Sequence, residues 1–226
     1  RNGNTNSDEE LYYYLMSCVA ICKNALKSLS HMKTEDFLPF YEKMDQAFKA
    51  ASSLSEQTYI ALLKAFNEFI LTIPDLPQIY EDGGPLDIIR KLYTCENETI
   101  DELVTNTLMR AFVTWEGRPG YENRVRYIKK HDIISYITQR IDNACVNSQI
   151  TMLETMSIII QAYPDIGREY IIKSVENELA HFAVSCFENG SVKMKNVSCN
   201  FLCMLFKGAD DDLVHDFLLE NEVTSM

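Results

Sequence analysis

Glycine and proline are scarce in this 226-residue chain, 8 and 6 residues respectively, and Trp occurs once. A β-rich fold needs dense turns, so this shortage excludes a sandwich or barrel as the working reading. Basic charge is also short: 21 Lys and Arg stand against 33 Asp and Glu, a formal net charge of −12. Such a field repels phosphate backbones and anionic lipid, so nucleic acid and membrane surfaces are not the expected partners. No apolar run reaches about 18 residues, so no membrane span is expected, and no signal-like start is present.

Catalytic and metal-binding signatures are missing as well. The chain has no G-x-S-x-G, P-loop, dinucleotide fingerprint, HExxH or EF-hand loop. Gly83-Gly84 is followed by Pro85 without a Lys-Ser/Thr, which makes it a turn and not a phosphate cradle. Seven cysteines include no C-x-x-C, and no His lies at zinc-finger spacing. Cys18/Cys22 and Cys199/Cys203 stand four apart, on one helix face each, and read as reduced thiols of a cytoplasmic protein (a nuclear location is also compatible). His31, His131, His181 and His215 are scattered. The chain is therefore expected not to be an enzyme, and no cofactor, metal or small-molecule ligand is expected.

Hydrophobic residues make up 46% and charged ones 24%, as in a globular protein. Residues 1–8 are polar and expected to be disordered, with residues 9–226 folded as one helical-repeat domain. Apolar residues recur at helical spacing along nearly all of that domain. Leu11 to Leu29 outlines a first helix opened by Ser7 or Asp8 as a cap. A second runs from Phe37 to Ala51, with Pro39 in its first turn. Ser55 caps a third, ending near Thr72 before Pro74.

From Asp75 onward an order repeats: a short segment closing on an apolar pair, a turn, a second helix, a polar break and a longer third helix. The pairs are Ile79-Tyr80, Tyr127-Ile128, Ile171-Ile172 and Leu218-Leu219, whose second members are 48, 44 and 47 residues apart. Armadillo and HEAT units run about 40 to 47 residues. The stretch Ile79-Tyr80-Glu81-Asp82-Gly83-Gly84-Pro85-Leu86-Asp87-Ile88-Ile89 resembles the short first helix, glycine turn and second helix of the armadillo-repeat superfamily. The resemblance covers about Asp75 to Met226 well and Leu11 to Ile73 loosely.

That resemblance implies an all-α fold, a right-handed α-solenoid of armadillo-like three-helix repeats, truncated at its C-terminal end from a longer protein. It implies a protein-interaction or regulatory scaffold that binds a protein partner without catalysis. The alternatives are a regulatory helical domain of a larger multidomain enzyme, or a GTPase-binding autoinhibitory region such as that of diaphanous-type formins. In nuclear-import adaptors and catenins of the superfamily the third helix carries an inward Asn; alignment places Arg110, Ile159 and Cys203 there, so no Asn ladder is visible.

One segment departs from its acidic surroundings. Between Trp115 and His131 lie Arg118, Tyr121, Arg124, Arg126, Lys129 and Lys130, in the insertion that stretches one repeat to 48 residues. Clustered cations beside aromatics can dock a carboxylate-rich or phosphorylated protein segment. The competing reading has Trp115 and Tyr121 packing the loop while the cations balance neighbouring acids. Together with Arg110 and Trp115, these six residues are the candidate partner-binding set. Tyr12-Tyr13-Tyr14 is a further candidate, either an exposed aromatic edge or a cover for the end of the repeat array.

Overall fold

A computed structural model describes residues 4–27, 34–73, 76–92, 97–113, 120–176 and 178–209, together with 212, 215 and 216. Among these residues every regular element is helical and none is a strand. The expected readings at His31, Pro74, Cys95, Trp115, Arg118 and the final pair Leu218-Leu219 lie outside the described residues.

The chain divides into two compact units. The first comprises residues 1–111 and 119–127, the second 112–118 and 128–226. In the first unit, α1 (Asn4–Lys27), α2 (Leu38–Lys49) and α3 (Glu56–Thr72) precede a 3-10 turn at Pro77–Tyr80, then α4 (Pro85–Leu92) and α5 (Glu98–Phe112). Helix α1 packs along α3, and α2 meets both α3 and α4. The inward stripe of α1 is Leu15, Cys18, Cys22 and Ala25, at the i, i+3, i+7, i+10 spacing of a single helix face. Rings fill the space between α2 and α3: Phe48 meets Phe66 edge-on at 5.2 Å, and Phe37 meets Phe69 at 6.4 Å. Pro39 sits in the first turn of α2, where a missing N–H costs no helical bond. Ser55 caps α3, its hydroxyl accepting from the Thr58 amide.

Helix α1 begins at Asn4 and not behind a Ser7 or Asp8 cap, so residues 4–8 of the segment expected to be disordered are helical. The physical reason lies across the fold. Asp8 Oδ2 accepts hydrogen bonds from Ser55 Oγ at 2.6 Å and Thr58 Oγ1 at 2.9 Å, giving the first turns of α1 a tertiary anchor.

The second unit holds α7 (Ile133–Ile141), α8 (Val146–Ala162), α9 (Pro164–Glu176), α10 (Leu179–Asn189) and α11 (Val192–Gly208), while α6 (Tyr121–His131) contains the unit boundary. Helix α8 packs on α9 and α11, and α10 packs on α11. The approach of α9 to α8 requires Gly167, where a Cβ would stand 2.8 Å from the Ile160 carbonyl oxygen.

A first, a middle and a long third helical element therefore recur in order, but the first element is short only at Pro77–Tyr80, since α6 and α9 are longer than the helices that follow them. The middle helices α4, α7 and α10 begin at 85, 133 and 179, and the long helices α5, α8 and α11 at 98, 146 and 192. Both series step by 48 and then 46 residues. Residues at the helix entries repeat as well: Ser55, Asn97, Cys145 and Ser191 each stand immediately before a long helix. Three of these four cap it with a side-chain oxygen. A left-handed residue stands in each turn from the first element to the middle helix: Gly83 at φ 71°, Asp132 at φ 40° and Glu178 at φ 63°.

Candidate interaction surface

The basic insertion becomes helix α6. It starts after Gly120, whose φ of 75° suits glycine, and the Arg124 amide closes the first turn on the Gly120 carbonyl. Lys129, Lys130 and His131 occupy its last turn, where cations oppose the negative end of the helix dipole. Burial of Arg124, Tyr127 and Ile128 fixes the rotation of the helix, and Arg126, Lys129 and Lys130 consequently lie on its exposed side at i, i+3, i+4.

Arg124 corrects the expected docking set. It is 3% exposed; its Nε donates to the Ala111 carbonyl at 2.7 Å, and its guanidinium lies 5.7 Å from the centre of the Tyr80 ring. The Tyr80 hydroxyl donates to that same carbonyl at 3.4 Å. A buried cation without partners would be severely destabilising, and this one is held by a carbonyl and an aromatic face. Arg124 thus joins α5 to α6 and is not presented to a partner. Tyr121 is half-buried, while Arg110, near the end of α5, is exposed.

Counting from the residue before each long helix also corrects the expected alignment. The position of Arg110 corresponds to Ile158 and Met204, one residue away from Ile159 and Cys203 respectively. Ile159 is fully buried, whereas Ile158 and Met204 are half-buried. Four residues earlier the equivalent set is Asn106, Glu154 and Asn200, of mixed character.

A polar network that composition and motif searching passed over surrounds Asp87, which is 3% exposed. Its carboxylate accepts from Lys91 Nζ at 2.7 Å, Arg90 Nη2 at 2.8 Å and the Gly83 amide at 3.1 Å. Burial pushes this carboxyl up, but the hydrogen bonds from Lys91, Arg90 and Gly83 prevail and hold it at about 2. Burial pushes the nearby Tyr127 hydroxyl up to about 12 despite Arg90. The i, i+3, i+4 spacing of Asp87, Arg90 and Lys91 was the available signal. The glycine amide that completes the site could not be placed without the left-handed turn.

Clefts open between the helices of each unit. One of about 450 Å³ lies between α1 and α2, lined by Glu10, Tyr14, Lys43 and Gln46 among others. A second, of about 370 Å³, runs between α1 and α3 beside Tyr12, Met16, Ile60 and Lys64. The third, of about 290 Å³ between α7 and α10, contains His181 beside Asp142 and Glu178. Among the described residues no group of three or more His, Cys, Asp and Glu is arranged to hold a metal ion. No described helix is long and apolar enough to cross a membrane.

The thiols divide by position. Cys18 and Cys22 are buried in α1, and burial pushes the Cys18 thiol up to about 11. Cys199 and Cys203 are exposed on α11, one turn apart. No family model matches this chain, and neither does any curated protein or solved structure.

Proposed function

We propose that this chain is a right-handed α-solenoid of armadillo-like units and serves as a protein-binding regulatory scaffold in the cytoplasm or nucleus. The observation that carries this reading is the recurrence of a first, a middle and a long third helical element at nearly constant intervals. Their common entry residues and left-handed turns recur with it. A three-helix unit buries its faces only against neighbouring units, and the outward faces that remain are suited to holding a partner. No step of covalent chemistry is assigned to it.

The partner surface we favour is the exposed side of α6, with Arg126, Lys129 and Lys130. On a chain of net charge −12 these cations would draw a carboxylate-rich or phosphorylated protein segment and fix its register. The same net charge disfavours nucleic acid. Capture from cell extract followed by mass spectrometry tests the proposal, comparing wild type with Arg126→Glu/Lys129→Glu/Lys130→Glu. Loss of a specific acidic or phosphorylated protein from the folded triple variant is the expected result. Retention of every captured protein after charge reversal would remove α6 as the docking face.

A further inference from the structure

We infer that Cys199 and Cys203 form a two-coordinate site for a soft monovalent cation, copper(I), on the exposed side of α11. Both thiols are exposed and stand four residues apart, one above the other on a single helix. They are close enough to hydrogen-bond to each other; burial, charge on Cys203 and that bond together push the Cys199 thiol up. Cys199 therefore ionises reluctantly beside its neighbour, and a cation held between the two sulfurs removes that cost. Cys18 and Cys22 share the spacing but are buried in α1, away from any ion in solution.

Helix geometry opposes a disulfide between the pair. Cβ atoms four residues apart lie about 5 to 6 Å from each other, whereas a disulfide needs about 3.5 to 4.5 Å. A bridging ion suits the wider gap. Two collinear metal–sulfur bonds of about 2.3 Å, the zinc–thiolate length, set the sulfurs about 4.6 Å apart, a span both side chains reach without unwinding the helix. The number of ligands selects the metal. Among the described residues no group of three or more His, Cys, Asp and Glu is arranged to hold an ion, so a four-ligand zinc site is not built here. Copper(I) is soft, favours thiolate and is satisfied by two in line. Binding exchanges protons for the ion: one Cu(I) and two thiols give a bis-thiolate complex of charge −1 and release two protons. Lys207, exposed one turn beyond Cys203, carries the opposite charge. Lys195, one turn before Cys199, donates instead to the Glu188 carbonyl at 2.8 Å.

Anaerobic titration of the full, reduced chain with Cu(I) against the chromophoric chelator bicinchoninate tests the site. The chain should withhold one Cu(I), and X-ray absorption at the copper edge should show two sulfur neighbours. Cys199→Ser and Cys203→Ser should each weaken binding at least about a hundredfold, since loss of a mere outer-shell partner already costs about 10- to 100-fold. Cys199→Ser/Cys203→Ser keeps five of the seven cysteines and should withhold no copper. Retention of the ion by the double variant overturns the inference, as does one ion shared between two chains or displacement of Cu(I) by an equal concentration of Zn(II). Unchanged far-UV circular dichroism separates loss of binding from loss of fold. Should a serine variant unfold, protection of Cys199 and Cys203 from alkylation by Cu(I) in the wild type, read by peptide mass spectrometry, decides in its place, and absence of protection overturns the site.

Discussion

Asp8 and Ser55 stand 47 residues apart in the chain and 2.6 Å apart in the fold, carboxylate to hydroxyl. Ser55 Oγ accepts from the Thr58 amide while donating to Asp8, and Thr58 Oγ1 donates to the same carboxylate oxygen. One acid thereby orients the cap of α3 and pins the first turns of α1. The hydrogen bond from Ser55 holds the Asp8 carboxyl below its usual value.

Asp8→Ala should lower the stability to urea by about 1 to 2 kcal/mol, the range for a charge-assisted bond to a helix cap. Asp8→Asn should fall between the two, keeping an acceptor without the charge. Because the folded value is depressed, the contribution is present above the unfolded carboxylate range and is lost as pH falls through the folded value. Urea titrations of wild type and Asp8→Ala should therefore converge in acid.

Asp87 follows the same sign with deeper burial. Its value of about 2, against an ordinary 3.8, corresponds to about 2 kcal/mol of stability, present in full above about pH 5 and lost between about pH 4 and pH 2. Asp87→Asn should remove most of that contribution at neutral pH and flatten the acid limb of the stability profile. An unchanged acid limb would show that Arg90 and Lys91 do not hold the charge in solution.

The helices were legible in the sequence because each has a single apolar face and an ordinary entry residue. Ser55, Pro39 and the Ile133, Ile134, Ile137, Ile141 stripe stand where spacing placed them. The three-part order was legible for the same reason, its elements returning at nearly constant intervals. Rotation was harder to read. Nothing in the local sequence distinguishes Arg124 from Arg126, yet one faces the Tyr80 ring and the other faces outward. The start of α1 was missed because the Asp8–Ser55 bond crosses 47 residues and no periodicity reports it. The alignment of Ile159 and Cys203 slipped by one, since the apolar pairs mark the first element of each unit while the entry residues set the register of the long helices.

The recurring left-handed turn gives a prediction in which two equivalent positions respond oppositely. Glu178 takes φ 63° with no side-chain capping bond. A residue with a Cβ pays about 1 to 2 kcal/mol there, more than the backbone freedom glycine adds to the unfolded chain. Glu178→Gly should raise stability by about 0.5 kcal/mol. Asp132, at φ 40°, accepts from Ser135 Oγ at 2.9 Å and lies 3.5 Å from Lys173 Nζ. Asp132→Gly relieves the same strain but removes these contacts, and should lower stability by about 1 kcal/mol. Urea midpoints of the two variants measured side by side check the contrast.

Arg124 and Arg126 are separated by one residue and should separate structure from binding. Arg124→Ala removes the donor to Ala111 and the cation over Tyr80, leaving a buried carbonyl with a long bond from Tyr80 alone among its side-chain donors. A loss of about 2 to 4 kcal/mol is expected, visible as an early urea midpoint. Lys at this position keeps the charge but lacks the planar, delocalised guanidinium that lies against an aromatic face, so Arg124→Lys should recover only part of the loss. Arg126→Ala, at an exposed site, should leave the midpoint within about 0.5 kcal/mol of wild type. If both alanine variants unfold alike, the rotation assigned to α6 is wrong and its outward cations must be reassigned. If only Arg124→Ala is unstable, Arg126 can be altered to probe docking without disturbing the fold.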